Sequence, residues 1–125
     1  MSGVALVIVE SRKGVPARAC VEALGKARAI GMDTIALACG KDPAAAAAAI
    51  APYAGVVVAA GHESLERYSA AAHVAIAARV ARERGASLVV APATPTGRDL
   101  AARLAARLEA GYAADVCGIE AGPEG

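Results

Sequence analysis

The stretch Leu88-Val89-Val90-Ala91-Pro92-Ala93-Thr94-Pro95-Thr96-Gly97-Arg98-Asp99-Leu100 joins an apolar run to a polar loop and then to a helical pattern. The run has no polar alternation, as expected of a strand covered on both faces of a parallel sheet. Runs of the same kind occupy 4–9, 34–39 and 56–60, and a fifth at 113–119 is interrupted by Asp115 and Gly118, which marks it as a shorter or edge strand. Between the runs lie helical patterns at 16–30, 43–51, 69–84 and 97–108. Each is long enough to cross over between parallel strands. The order βαβαβαβαβ places the chain in the α/β class. Gly31, Gly85 and Gly111 stand just after three of the helices, where a left-handed C-cap is wanted. Pro16 and Pro43 stand where a first helical turn tolerates proline.

Composition limits what these elements can pack. Of 125 residues 71 are hydrophobic, but 36 of those are Ala and only 27 are Val, Leu or Ile, with no Phe or Trp. Branched aliphatics at about 22% stand just above the ~20% below which chains tend to stay disordered, and a net charge of +1 does not oppose collapse. One compact domain with a small-grained core is expected, its alanines letting helices lie close to the sheet. The balance of 13 basic and 12 acidic residues lacks the electrostatic footprint of a nucleic-acid-binding module. Cys20, Cys39 and Cys117 form no CxxC and cannot complete a zinc site with His62 and His73, so reduced, mostly buried thiols in a cytoplasmic compartment are expected. Met1-Ser2-Gly3 lacks the basic region of a secretory signal, so export is not expected. Residues 43–61 carry no charge over a length close to a membrane span. Their weakly apolar alanine run, with Pro52 and Gly55 as breaks, reads instead as helix, turn and strand, so no membrane association is expected.

The first strand is followed by Val9-Glu10-Ser11-Arg12-Lys13-Gly14, which lacks the GxGxxG that brings backbone against a pyrophosphate. The pairs Gly25-Lys26 and Gly40-Lys41 have Cys20 and Ile35 where a P-loop needs its leading glycine. The glycine-rich signature of universal-stress-protein nucleotide binders is also missing after the fourth strand. The loop at 91–100 lies where α/β folds place ligands, at a strand's carboxyl end opening a helix. Thr96 and Asp99 have the spacing of a capping box, so helix initiation accounts for both. The N–H groups there, with Arg98 and the Thr94 hydroxyl nearby, could also hold an anion or a partner's carboxylate. Beyond them Leu100, Leu104 and Leu108 form an apolar stripe flanked by Arg103 and Arg107, read as core residues beside solvated charges. His73 falls at the edge of a helical apolar stripe with no evident activating partner. His62-Glu63-Ser64 offers a base, a carboxylate and a hydroxyl, but neighbours in sequence do not converge on one point, and Ser64 reads as a helix cap. No residue is assigned a catalytic or metal-binding role.

The chain as a whole resembles the N-terminal domain of the electron transfer flavoprotein alpha subunit. The likeness rests on Val7-Ile8-Val9-Glu10 with a short basic loop and Gly14, and on Thr94-Pro95-Thr96-Gly97-Arg98-Asp99-Leu100. It continues through Arg103-Leu104-Ala105-Ala106-Arg107-Leu108 and Gly111-Tyr112-Ala113-Ala114-Asp115-Val116, covering residues 4 to 120. Ala102 and Ala114 depart from it, standing where the family usually has Pro and Thr. The resemblance implies a Rossmann-like three-layer fold of the adenine nucleotide alpha hydrolase type, with a five-stranded parallel sheet of order 3-2-1-4-5. It implies a scaffold domain at 1–120, a linker stub at 121–125, and an FAD-binding C-terminal domain absent from this chain. It also implies a heterodimer with a beta subunit that binds AMP or, in bifurcating members, a second flavin. In that complex electrons pass from flavin dehydrogenases to a quinone-linked acceptor through FAD, which this chain is not expected to bind alone. The loop residues Thr94, Thr96, Gly97, Arg98 and Asp99 are then expected at an anion or at a contact with the flavin domain or partner subunit. Two other readings stay open: a stand-alone AMP-binding domain of the universal-stress-protein type, and a structural dimerisation domain.

Overall fold

A computed structural model describes residues 3–112 of the chain. Its main sheet is formed by β1 (Val4–Val9), β4 (Asp33–Gly40), β5 (Val56–Gly61) and β6 (Ala86–Val90), with all neighbours parallel in the order β5-β4-β1-β6. That is the expected order 3-2-1-4 of the four apolar runs; the fifth run, at 113–119, lies outside the described residues. The helices are α1 (Arg18–Ala29), α2 (Ala44–Ile50), α3 (Ala70–Glu83) and α4 (Pro95–Leu108).

Alternation along the strands divides the core into two layers. Leu6 and Ile8 of β1 and Ile35 and Leu37 of β4 meet Val74, Ala77, Ala78 and Ala81 of α3 and Leu100 and Leu104 of α4. Their neighbours Val7, Val9 and Ala36 point the other way, onto Cys20 and Leu24 of α1 and Ile50 of α2. The result is the three-layer α/β/α arrangement expected. Most residues that α3 turns to the sheet are alanines, so the strands and α4 supply the larger side chains. Leu6, Leu24, Leu37 and Ile50 are fully buried, and each such side chain contributes about 1.5–3 kcal/mol relative to exposure. Thr34 is the one buried polar residue among those described, and its hydroxyl accepts from the Gly55 N–H at 2.9 Å. Cys20 is buried and Cys39 half-buried, both as free thiols; Cys117 lies outside the described residues. No described helix is long and apolar enough to cross a membrane.

Three local expectations need correction. Pro16 does not open the first helix. It belongs to a small hairpin of β2 (Ser11–Arg12) and β3 (Val15–Pro16), whose turn residues Lys13 and Gly14 have φ of 52° and 78°. Positive φ at both central positions is the two-residue turn that matches strand twist, and α1 begins two residues later. Ser64 does not cap a helix. It lies in a short 3-10 turn, Glu63–Leu65, capped by His62, whose ring accepts from the Ser64 N–H. Gly111 does not close α4. Leu108 still packs against the core, so the chain turns immediately after it, and Glu109 takes the left-handed conformation at φ 54°. Gly31 and Gly85 do occupy left-handed positions after α1 and α3, as expected.

Candidate functional site

From β1 the chain builds outward through β4 to β5, then returns to the other side of β1 with β6. Strand order therefore reverses between β1 and β6, and in open α/β sheets the crevice at the carboxyl ends of such a pair is where ligands sit. Here Glu10, next after β1, faces the β6–α4 loop across that crevice. The Thr94 hydroxyl donates to Glu10 Oε2 at 2.6 Å and accepts from the Gly97 N–H at 3.0 Å. One side chain thus both caps α4 and ties residues 84 positions apart in the chain.

The cap is Thr94, and the Thr96–Asp99 capping box expected from spacing does not form. Pro95, which fixes φ and needs no N–H partner, takes the first position of α4, so the helix starts two residues earlier than its apolar stripe suggests. Thr94 reaches Gly97 at a cap's normal reach. Gly97 is required for this geometry: a Cβ on it would stand 1.9 Å from the Pro92 carbonyl oxygen. The donors of the first turn are largely used within the protein, because Pro95 has none, Gly97 bonds Thr94 Oγ1, and the Arg98 N–H bonds the Thr94 carbonyl at 2.8 Å.

Asp99 is engaged elsewhere. It accepts from the Tyr68 hydroxyl at 2.6 Å and from Arg103 Nε at 2.9 Å. These two hydrogen bonds hold its carboxyl below the usual range. Burial, then the Asp99 carboxylate, pushes the Tyr68 phenol up to about 12. Tyr68 also lies against His73, with ring centroids 5.3 Å apart. Nothing local in the sequence signals the Tyr68–Asp99 bond, which joins the segment before α3 to α4 across 31 positions.

A cavity of about 310 Å³ opens beside this strap at the carboxyl ends of β1 and β4. Its wall includes Glu10, Asp42, Glu66, Cys39, His73 and Thr96, and no Lys or Arg lines it among the described residues. Burial raises the Cys39 thiol to about 11, so it is neutral and a poor nucleophile at physiological pH. Thr96 and Arg98 are exposed and line different cavities: Thr96 faces this one, while Arg98 lines a larger groove along β6. The expected loop residues therefore do not converge on one point. Thr94 and Gly97 form the latch, Asp99 anchors Tyr68, and Thr96 and Arg98 diverge. His62 Nδ1 lies 2.8 Å from Ser64 Oγ, but this exposed contact is made within one turn, and no carboxylate among the described residues is bonded to the ring. No group of His, Cys, Asp or Glu among the described residues is placed to hold a metal.

The fit to an adenine or flavin nucleotide is poor. A phosphate entering the cavity would meet three carboxylates without a cation and a helix N-terminus whose donors are mostly taken. Its volume is at the low end of the roughly 300–1,000 Å³ usual for ligand pockets. This cavity is thus not suited to the phosphates of FAD.

Comparison with known proteins gives concordant matches. Residues 5–125 match the family model described as the electron transfer flavoprotein domain. The chain is also 30% identical over 118 residues to Protein FixB of Clostridium saccharobutylicum, an alignment covering 91% of this chain and 35% of that protein. The chain therefore spans about a third of the length of the curated relative it matches.

Proposed function

This chain belongs to the electron transfer flavoprotein domain family, and from that membership we propose that it is the N-terminal scaffold domain of an alpha subunit. In this reading its work is assembly and positioning, and redox chemistry is carried by FAD held in another domain. That flavin would be loaded by dehydrogenases and emptied toward a quinone-linked acceptor. The partner is a beta subunit, which would be the AMP-binding member of the heterodimer, and the complex would act in the cytoplasm. The loop carrying Thr94, Thr96, Gly97, Arg98 and Asp99 is the proposed contact with the flavin domain or partner, with Thr96 its exposed hydroxyl.

One observation carries the choice of scaffold over nucleotide binder. The switch-point crevice is bridged from within by Thr94 and Glu10, and the adjoining cavity is lined by acidic side chains and no basic ones. Co-expression with a candidate beta subunit tests the assignment. A stoichiometric complex should form, while the chain alone should purify without flavin. Failure to associate, combined with micromolar FAD binding by the free chain, would overturn it.

A further inference from the structure

The opposite edge of the sheet has a different character. From Pro43 to Gly61 the chain has no charged residue, and the fold makes this segment one continuous surface. It consists of α2, a 3-10 turn at Ala51–Tyr53, and the edge strand β5. On α2, Ala44, Ala45, Ala48 and Ala49 are exposed. The β2–β3 hairpin lies against the same helix, with Gly14 so near Ala45 that an added Cβ would come within 2.9 Å of its methyl. Three of the large apolar side chains most exposed among the described residues belong to this region: Val15 at 67%, Tyr53 at 48% and Val56 at 40%.

β5 is an edge among the described residues and lacks the usual protections of one. Edges are commonly blunted by a lysine, a proline or a bulge, and Val56–Gly61 has none of these, pairing with β4 in unbroken register. The direction of its free groups follows from one bond. The His62 N–H points to the Gly40 carbonyl, so by alternation residues 56, 58 and 60 turn their backbone groups toward β4. Val57, Ala59 and Gly61 therefore turn theirs outward.

We propose that the uncharged segment from α2 to β5 is a two-fold interface at which a second copy of the chain pairs its β5 antiparallel to the first, extending the sheet across both molecules. A two-fold axis sets each surface against itself, so a charged patch repels its own image, whereas the α2–β5 segment has no charged side chain, the exposed Arg12 and Lys13 lying in the hairpin outside it. Antiparallel pairing about an axis normal to the sheet keeps equivalent faces on the same side. Both α2 helices then lie in one layer flanking the axis, where their alanines permit close approach. The outward groups of Val57, Ala59 and Gly61 find their partners on the same three residues of the other copy. The inference is independent of the heterodimer reading, because it uses the β5 edge and not the loop at 94–99.

Sedimentation of the 125-residue chain at micromolar concentration tests it, with Ala59→Lys and Ala59→Pro as variants. Position 59 is exposed and its N–H does not serve β4, so either change should leave the monomer fold intact, as judged by circular dichroism. The wild type should sediment as a dimer, and each variant should weaken dimerisation at least about a hundredfold, equivalent to loss of about 2.7 kcal/mol. If proline perturbs the strand, the lysine variant decides. A monomeric wild type, or a folded Ala59→Lys chain that dimerises as well as the wild type, would overturn the proposal. A different protein docking on this face would also leave the isolated wild type monomeric and so counts against it.

Discussion

The two sides of the sheet are stabilised by different means. At the β1/β6 crevice, order depends on a few directed polar contacts: Thr94 with Glu10 and Gly97, and Tyr68 with Asp99. At the β5 side the described segment from 43 to 61 has no charged side chain, and α2 is held by buried Ile50 and Ala46. Contacts of the first kind fix geometry, since a hydrogen bond fails when its partners move by less than an ångström. Contacts of the second kind fix only burial and leave an apolar surface outside.

The contrast can be broken by substitution. The largest effect is expected from Ile50→Ala, which removes the one large buried side chain of α2 and should cost about 4 kcal/mol. Chemical denaturation measures it, and a loss below about 1 kcal/mol would show that α2 is anchored by something else. Gly97→Ala should cost about 3 kcal/mol, because the new methyl must displace the Pro92 carbonyl. A neutral result there would mean that the α4 N-terminus is not held as closely as described.

Thr94→Val keeps the side-chain shape but removes the cap and the bond to Glu10. A loss of about 1.5 kcal/mol is expected, and Thr94→Ser should restore most of it. Equal stability of the Val and Ser variants would remove the latch from the account. Tyr68→Phe sharpens the comparison through pH. Asp99 has a folded pKa below its unfolded value. Its contribution is therefore present above the ordinary carboxylate range and fades as pH falls through the lowered value. Tyr68 is raised to about 12, so its contribution is complete below the ordinary phenol range and fades as pH rises through about 12. Ultraviolet titration should show a phenol near 12 that the Phe variant lacks, together with reduced acid sensitivity of unfolding. The smallest effect belongs to Ala48→Lys on the exposed face of α2, which should unfold within about 0.5 kcal/mol of the wild type when both are measured dilute enough to be monomers.

The same division explains what the sequence made legible. Unbroken apolar runs mark the sheet strands, most clearly β1 and β4, where burial on both faces leaves a local signature, and the run 4–9 coincides with β1 to the residue, while β5 and β6 carry the same kind of run without full burial. The hairpin at 11–16 leaves no comparable signal, and Pro16 reads as a helix start because proline suits both a first helical turn and an edge-strand position. The α4 start was displaced because two threonines compete for the cap, and proximity to Pro92 and Glu10 decides between them. Thr94, Thr96, Gly97, Arg98 and Asp99 were recognisable as a distinctive loop, yet their separate roles depend on partners far away in the chain. Tyr68 had no periodic or motif signal, because a single long-range hydrogen bond leaves none.

The proposed scaffold role requires that the switch-point crevice receive no nucleotide. Equilibrium dialysis of the isolated chain against FAD and AMP, read by absorbance, tests it most directly. Neither ligand should be retained above the free concentration when both are supplied in the micromolar range. Saturable, stoichiometric binding of either one would contradict the claim.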